Sequence, residues 1–247
     1  MLDDFLLYRA GGFAAQMIDG AIGMAYGVTA SSVLLSSGVS PAVTSACVHA
    51  AEVFTTGASG LSHWRLGNFD RRMVLRLLIP GMIGGALGAY VLANLPGDMF
   101  RPWISAYLLA LGLVILWKAA RPPRRRTTPP AYVAPLGFFG GLLDAIGGGG
   151  WGPLVTSTLL GGGSAPRVTI GSVNIAEFFV TLVISATFVA TIGLSLWPIV
   201  AGLVVGGVIA APFAALATKY LPPRVLMVMV GIVVVGLSCR NLLASLA

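Results

Sequence analysis

The sequence predicts an all-α polytopic membrane protein made of two homologous repeats, and three observations lead to that prediction. Of its 247 residues, 57% are hydrophobic and only 9% are charged, whereas soluble domains are about 25% charged. Apolar segments follow one another along nearly the whole chain, and a membrane crossing needs about 20 such residues. A glycine-rich motif beside an acidic residue occurs once in each half. We therefore expect one integral membrane domain, with no room for a separate soluble one.

The apolar segments divide into six single crossings and two longer stretches. The single crossings are residues 41–61, 73–95, 102–117, 166–192, 197–217 and 225–243. The first segment of each half, 5–36 and 131–160, is too long for one straight crossing and is interrupted by glycine. We therefore expect a first repeat over residues 1–120, a basic cytoplasmic linker over 121–130, and a second repeat over 131–247.

The two halves align without a gap at an offset of 125 residues, the separation of Asp19 and Asp144. The matched pairs include Gly12 with Gly137, Gly23 with Gly148, Gly27 with Gly152, Pro41 with Pro166, and Glu52 with Glu177. Apolar residues would match by chance, but both acids, the proline and several glycines would not. The alignment therefore indicates an internal duplication.

Basic residues in the short loops predict how the repeats are oriented, because cytoplasmic loops carry an excess of Lys and Arg. Arg71 and the arginine-rich linker place two loops inside, and Lys219 and Arg224 place a third there. The second repeat then begins with a pair of re-entrant half-helices that enter and leave on the cytoplasmic side. The first repeat does the same from outside, which makes the repeats inverted. The alternative is eight simple crossings with both halves in one orientation.

Charge and cysteine content exclude several classes of protein. The net charge of +7 lies chiefly in short loops, as expected for a membrane protein and not for a nucleic-acid surface. The acidic N-terminus predicts no cleaved signal peptide. Cys47 and Cys239 lie in apolar runs and form neither a disulfide framework nor a metal motif. We expect no nucleic-acid partner, no cofactor and no metal site.

Four acids lie inside apolar segments: Asp19, Glu52, Asp144 and Glu177. An ionised side chain at the bilayer centre costs about 2.5–3.5 kcal/mol on insertion scales. These acids must therefore be protonated, hydrogen-bonded or exposed to a wet cavity. We predict that Glu52 and Glu177 carry protons. The alternatives are protonated structural groups and, for the two aspartates, caps on a following helix.

The glycine clusters predict breaks where a half-helix ends inside the membrane. Free N–H groups and the positive dipole end of the next half-helix form an anion site without any basic side chain. The residues predicted to bind substrate in this way, besides the two aspartates, are Gly20, Gly23, Gly27, Gly147, Gly148, Gly149, Gly150 and Gly152. Other glycines, such as Gly84 and Gly206, are explained by close helix packing.

The helix after each break carries polar residues at helical spacing. His49 and Glu52 are three residues apart and share a face, as do Asn174 and Glu177 in the second repeat. If the repeats pack around a pseudo-twofold axis, these faces meet near the midplane. We predict that His49 and Asn174 contact the substrate, and His49 could titrate near neutrality.

These features together resemble the TauE/SafE family of sulfite exporters, and the resemblance covers almost the whole chain. It implies a plasma-membrane carrier, in bacteria, that moves sulfite, sulfonates or related organosulfur anions. The positions that carry it are Asp19, Gly20, Gly23, Gly27, Pro41, Glu52, Asp144, Gly147 to Gly150, Gly152, Pro166, Asn174 and Glu177. The first copy has Ile22, Met24 and Ala25 where the second has glycine, so the two breaks need not bind substrate equally.

Three functions stay open on this basis. The first is a secondary anion transporter with proton coupling, since no Walker-type ATP motif occurs. The second is a divalent-cation transporter that uses the four acids and His49, although clustered ligands of preferred spacing are missing. The third is an intramembrane enzyme with Ser59 as nucleophile, for which the sequence places no base; we expect no enzyme activity. Substrate, coupling ion, direction and oligomeric state, a homodimer included, are not fixed by these patterns.

Overall fold

The structure, a computed structural model, describes residues 2–22, 25–120, 132–162, 164–193, 197–220 and 223–246. These residues form ten α-helices and one π-helical segment. The α-helices are α1 (Leu2–Ile22), α2 (Tyr26–Ser36), α3 (Pro41–Arg65), α4 (Arg71–Asn94), α5 (Gly97–Ala119), α6 (Val133–Gly147), α7 (Ser157–Gly161), α8 (Pro166–Ile192), α9 (Trp197–Tyr220) and α10 (Pro223–Leu246). The π-helical segment, Trp151–Thr156, leads directly into α7.

Within the described ranges, four helices are long and apolar enough to cross a membrane, over Arg71–Asn94, Met99–Ala119, Arg167–Ile192 and Met227–Ala244. They correspond to four of the six single crossings expected from the sequence. At 25 residues α3 is also long enough for a crossing, but it carries polar residues such as His49 and Glu52. The prediction of an all-helical, polytopic membrane protein is confirmed.

The long first segment of the second repeat is broken where its glycines predict. Helix α6 has 15 residues, or about 22 Å at 1.5 Å per residue, which is less than the hydrocarbon thickness of about 30 Å. It ends at Gly147, and the next two residues, Gly148 and Gly149, have φ angles of 68° and 152°, which favour glycine. The chain then folds back and brings Gly162 beside Tyr132. A Cβ added at Gly162 would lie 3.0 Å from the hydroxyl of Tyr132. The second repeat therefore begins with a helical hairpin.

The first helix of each half packs along a helix of the other half. Helix α1 lies against α9, and α6 lies against α4. Glycines allow both contacts, since a Cβ at Gly84 would overlap the carbonyl oxygen of Phe138, and one at Gly206 would overlap that of Arg9. These glycines therefore permit close helix packing, as the sequence predicted.

Equivalent helices of the two halves run antiparallel where they touch. Gly57 of α3 faces Phe178 of α8, whereas Gly60 faces Ile175. Residue numbers thus rise along one helix as they fall along the other. Helices α5 and α10 oppose each other in the same antiparallel way.

The hydrophobic core forms two clusters. The larger includes Trp151, Leu108 and Ile184, and the smaller includes Tyr26 and Leu203. Tyr26 and Trp151 are equivalent residues of the two repeats, and each begins the helical segment after its break. A buried aromatic side chain therefore anchors the chain after each break.

Candidate functional site

The segments on both sides of the two breaks meet around one cavity, which we call the central cavity. Its volume is about 320 Å³, including the open space at its mouth. It is lined by Asp19, Ala25, Tyr26, Gly27, Val28, Glu52, Thr55, Thr56, Asp144, Gly150, Trp151, Gly152, Pro153 and Glu177. All four acids singled out in the sequence are on this wall, and these described lining residues include no lysine or arginine.

Each aspartate caps the helical segment that follows its break. Asp19 Oδ1 accepts hydrogen bonds from the N–H groups of Ala25 at 2.9 Å and Tyr26 at 3.2 Å. Asp144 Oδ1 accepts one from the N–H of Trp151, the equivalent of Tyr26, at 2.9 Å. These bonds satisfy donors that a helix start leaves without partners. The capping alternative that the sequence left open is therefore realised in both repeats, and it occupies some of the N–H groups expected to bind an anion.

The second break is held in place by residues of the first repeat. The hydroxyl of Ser31 donates to the carbonyl oxygen of Gly148, and that of Ser45 donates to the carbonyl oxygen of Ala145 at 2.5 Å. Gly149 lies directly on Gly27, so a Cβ at Gly149 would overlap the Gly27 backbone. The two repeats thus touch backbone to backbone at their breaks.

The predicted glycine ligands fall into two groups. Gly27, Gly150 and Gly152 line the central cavity. Gly147, Gly148 and Gly149 do not, because Tyr107, Ser31 and Gly27 fill the space that a side chain would need at those positions. Protein packing therefore accounts for these three glycines without a ligand. Gly20 lies in α1 and Gly23 lies outside the described residues; a role in substrate binding stays a prediction for the whole set.

His49 lies behind the cavity wall, not on it. Its side chain is fully buried, with Nδ1 2.8 Å from the carbonyl oxygen of Ser45 and Nε2 3.2 Å from Asp144 Oδ2. Asn174, its equivalent, donates to the carbonyl oxygen of Ile170 at 3.0 Å and is not on the wall. Neither side chain therefore lines the cavity, and each forms hydrogen bonds with other protein groups instead.

Glu52 and Glu177 face the cavity from α3 and α8. Glu52 is 4% exposed, its carboxyl group interacts with the backbone N–H of Gly27, and its Oε2 has no hydrogen-bond partner among the described residues. Glu177 is less buried and interacts electrostatically with Asp144. Both glutamates are thus placed where a solute in the cavity would meet them, and their proton-carrying role stays a prediction.

The sequence patterns missed three residues of the site. Ser45 lies one helical turn before His49, so its position on the same face was a usable signal. Ser31 lies in α2, beyond the motif. The hydroxyl of Tyr107, on α5, lies beside Gly150 and interacts electrostatically with Asp144, and no motif in the sequence marks it.

Comparisons with known proteins assign the family. The family model described as "Sulfite exporter TauE/SafE" matches residues 8–241. The chain is 43% identical over 241 residues to "Probable membrane transporter protein YtnM" of Bacillus subtilis (strain 168), an alignment that covers 94% of this chain and 80% of that protein. No solved structure gives a significant match. As the resemblance of its motifs predicted, the chain belongs to the TauE/SafE sulfite exporter family of membrane transporters.

Proposed function

We propose that this protein is a secondary transporter that moves sulfite, a sulfonate or a related organosulfur anion across the bacterial plasma membrane together with protons. The observation that carries the proposal is the central cavity, where the starts of two half-helices and four carboxyl groups share one space. Helix starts favour anions, and the name of the family indicates the class of anion.

The acids make anion binding depend on protons. Two like unit charges 4 Å apart repel by about 4 kcal/mol at an effective dielectric constant of about 20. Glu52 and Asp144 are 4% and 2% exposed, so water screens them weakly. A protonated carboxyl group carries no charge and can donate a hydrogen bond to an anion. Anion binding is therefore favoured when Glu52 and Glu177 are protonated, which couples the two movements.

An inverted-repeat arrangement would let the cavity open to either side in turn. Two observations support it: α3 and α8 run antiparallel where Gly57 meets Phe178, and α6 and α7 form a hairpin whose ends, Tyr132 and Gly162, lie close together. Equivalent crossing helices that run antiparallel imply a pseudo-twofold axis in the membrane plane.

Cysteine accessibility tests the orientation. Gly67 and Gly193 form a matched pair, since both have positive φ and neither has an atom within 4 Å of an added Cβ. In a Cys239→Ser background, an impermeant thiol reagent added outside should label Gly193→Cys and leave Gly67→Cys unlabelled. Labelling of both from the same side would contradict the inverted arrangement.

Flux in proteoliposomes tests the transport proposal. A sulfonate is the better substrate, because its charge stays constant over the pH range used, whereas that of sulfite does not. An inward proton gradient should drive sulfonate or sulfite accumulation, and Glu52→Gln together with Glu177→Gln should abolish the drive. Asp70→Asn, at the N-terminus of α4 and away from the cavity, is the control. Absence of flux for both anions would refute the substrate class, and flux indifferent to the gradient would refute the coupling.

The second candidate function is divalent-cation transport, which four carboxyl groups without a basic residue on the described cavity wall favour. Against it, no three His, Cys, Asp or Glu side chains among the described residues are grouped so that they could hold a metal ion. Thermal stabilisation of the purified protein by Ni²⁺ or Co²⁺, and not by sulfite, would reverse the order of the two candidates.

A further inference from the structure

We propose that His49 and Asp144 together bind the coupled proton, as a buried pair behind the central cavity. This inference rests on the proposed function and deepens it, since it names the coupling site. Glu52 and Glu177 stay the groups whose protonation favours the anion; the hydrogen bonds around His49 indicate that the proton reaches them from this pair.

The first step is the position of the proton on the imidazole ring. His49 Nδ1 lies 2.8 Å from the carbonyl oxygen of Ser45, and a carbonyl oxygen can only accept. The hydroxyl of Ser45 is also 3.2 Å from Nδ1, but its own proton is donated to Ala145. Nδ1 therefore carries a proton, and in a neutral ring Nε2 carries none.

The second step is a count of protons between the two side chains. Nε2 lies 3.2 Å from Asp144 Oδ2. A neutral ring with a bare Nε2 and an ionised carboxylate would place two acceptors against each other, which is repulsive. The observed contact therefore needs one more proton, held either on Nε2 or on Oδ2. The pair is thus a site for one exchangeable proton.

The groups around the pair affect whether it keeps this proton. His49 and Asp144 are 0% and 2% exposed, and the titratable groups that face Asp144 from other positions are Tyr107, Glu52 and Glu177. When ionised, Glu52 and Glu177 oppose the net negative charge that loss of the proton would leave on the pair. Asp144 also lines the cavity whereas His49 does not. A proton therefore passes between the cavity and the pair through the Asp144 carboxyl group.

Loss of the proton has a structural effect. The same Asp144 side chain binds Trp151 through Oδ1 and His49 through Oδ2. Without the shared proton, the contact of α3 with the second break turns from a hydrogen bond into a repulsion. Proton release thus weakens one contact between α3 and the second break and leaves the bond from Ser45 to Ala145 in place, which links protonation to movement of a cavity wall.

Nitrogen NMR on labelled histidine tests the pair without any substrate. The chain has two histidines, so His63→Gln leaves His49 as the single reporter. In liposomes, the Nδ1 resonance should be that of a protonated nitrogen, and the Nε2 resonance should show a hydrogen bond to Asp144. Asp144→Asn should shift the Nε2 resonance and leave that of Nδ1 unchanged. A bare Nδ1, or an Nε2 resonance that Asp144→Asn does not shift, would overturn the proposal.

Flux measurements test the role of the pair in coupling. A glutamine amide can donate to Asp144 but does not titrate, so His49→Gln should lose accumulation driven by a proton gradient to a much greater extent than it loses sulfonate exchange. His63→Gln should behave like the unmodified protein. Accumulation by His49→Gln at the unmodified level would refute the proposal. If the unmodified protein moves neither sulfite nor sulfonate, the proposed function fails while the NMR result still decides whether the pair binds the proton; if His49→Gln does not fold, that result decides alone.

Discussion

Each of the two breaks has an aspartate cap, but the residues that contact the two caps differ. Asp19 and Asp144 accept the same hydrogen bond from equivalent residues, Tyr26 and Trp151. Asp144 is buried and also contacts His49, whereas Asp19 is half-buried. Asn174, the equivalent of His49 in the second repeat, donates to a carbonyl oxygen of its own helix. The duplication thus preserved the cap, while the groups around it diverged.

A backbone carbonyl group at the second break also has a hydrogen-bond donor that the equivalent position of the other repeat cannot supply. Ser45 donates to Ala145, but its equivalent in the second repeat is Ile170, which has no hydroxyl. Because Ile170 cannot make the bond that Ser45 makes, we expect the first break to open at lower free-energy cost than the second. Each of the following substitutions tests this difference.

The largest effect should come from Gly149→Ala. A Cβ there would overlap the Gly27 backbone at a φ of 152°, which adds backbone strain of about 1–3 kcal/mol to overpacking of about 1–3 kcal/mol. Gly38→Ala is the control, because its φ is 90° but the added Cβ meets no atom within 4 Å. Denaturant unfolding in mixed micelles should show a clearly larger loss of stability for Gly149→Ala. Equal losses would mean that the breaks do not press on each other.

We expect a smaller effect, in which Asp144→Ala lowers the free energy of unfolding more than Asp19→Ala does. Asp144→Ala leaves the buried Nε2 of His49 and the N–H of Trp151 without partners, which should cost about 3 kcal/mol. Asp19→Ala leaves the N–H groups of Ala25 and Tyr26 without this acceptor, and loss of such a half-buried cap should cost about 1–2 kcal/mol. The same unfolding measurement compares them. If Asp19→Ala proves the more costly, the first break is the better supported of the two.

The smallest effect should come from Ser45→Ala, which removes the hydroxyl that bonds to Ala145. The expected loss of unfolding free energy is about 1 kcal/mol. Thr44→Val, at the neighbouring position, is the control, since the Thr44 hydroxyl is buried with no partner among the described residues. Thr44→Val should leave stability unchanged or raise it, and a loss as large as that of Ser45→Ala would remove Ser45 from the support of the second break.

The duplication explains how much of the site the sequence could predict. The offset between Asp19 and Asp144 located both breaks, and the high cost of acids in lipid pointed to the cavity that Glu52 and Glu177 share. These predictions needed only local spacing and the properties of the bilayer.

The remaining features of the site depend on contacts between residues far apart in the chain, which local sequence spacing does not predict. Tyr107 reaches the second break from α5, a helix without any motif residue. Gly147, Gly148 and Gly149 are explained by Tyr107, Ser31 and Gly27, which occupy the space where a side chain would lie. His49 and Asn174 occupy equivalent positions, and each lies against the carbonyl oxygen four residues before it, but His49 also contacts Asp144.

The crossed packing of the first helices has a consequence for biosynthesis. Trp197, where α9 starts, follows Ile22, where α1 ends, by 175 residues. At a synthesis rate of about 5–20 residues per second, α1 waits roughly 10–30 seconds for the helix it packs against. The nascent chain must therefore keep α1 in the translocon or in lipid until α9 has been synthesised. An insertase or chaperone that shelters α1 during this interval would raise the yield of folded transporter.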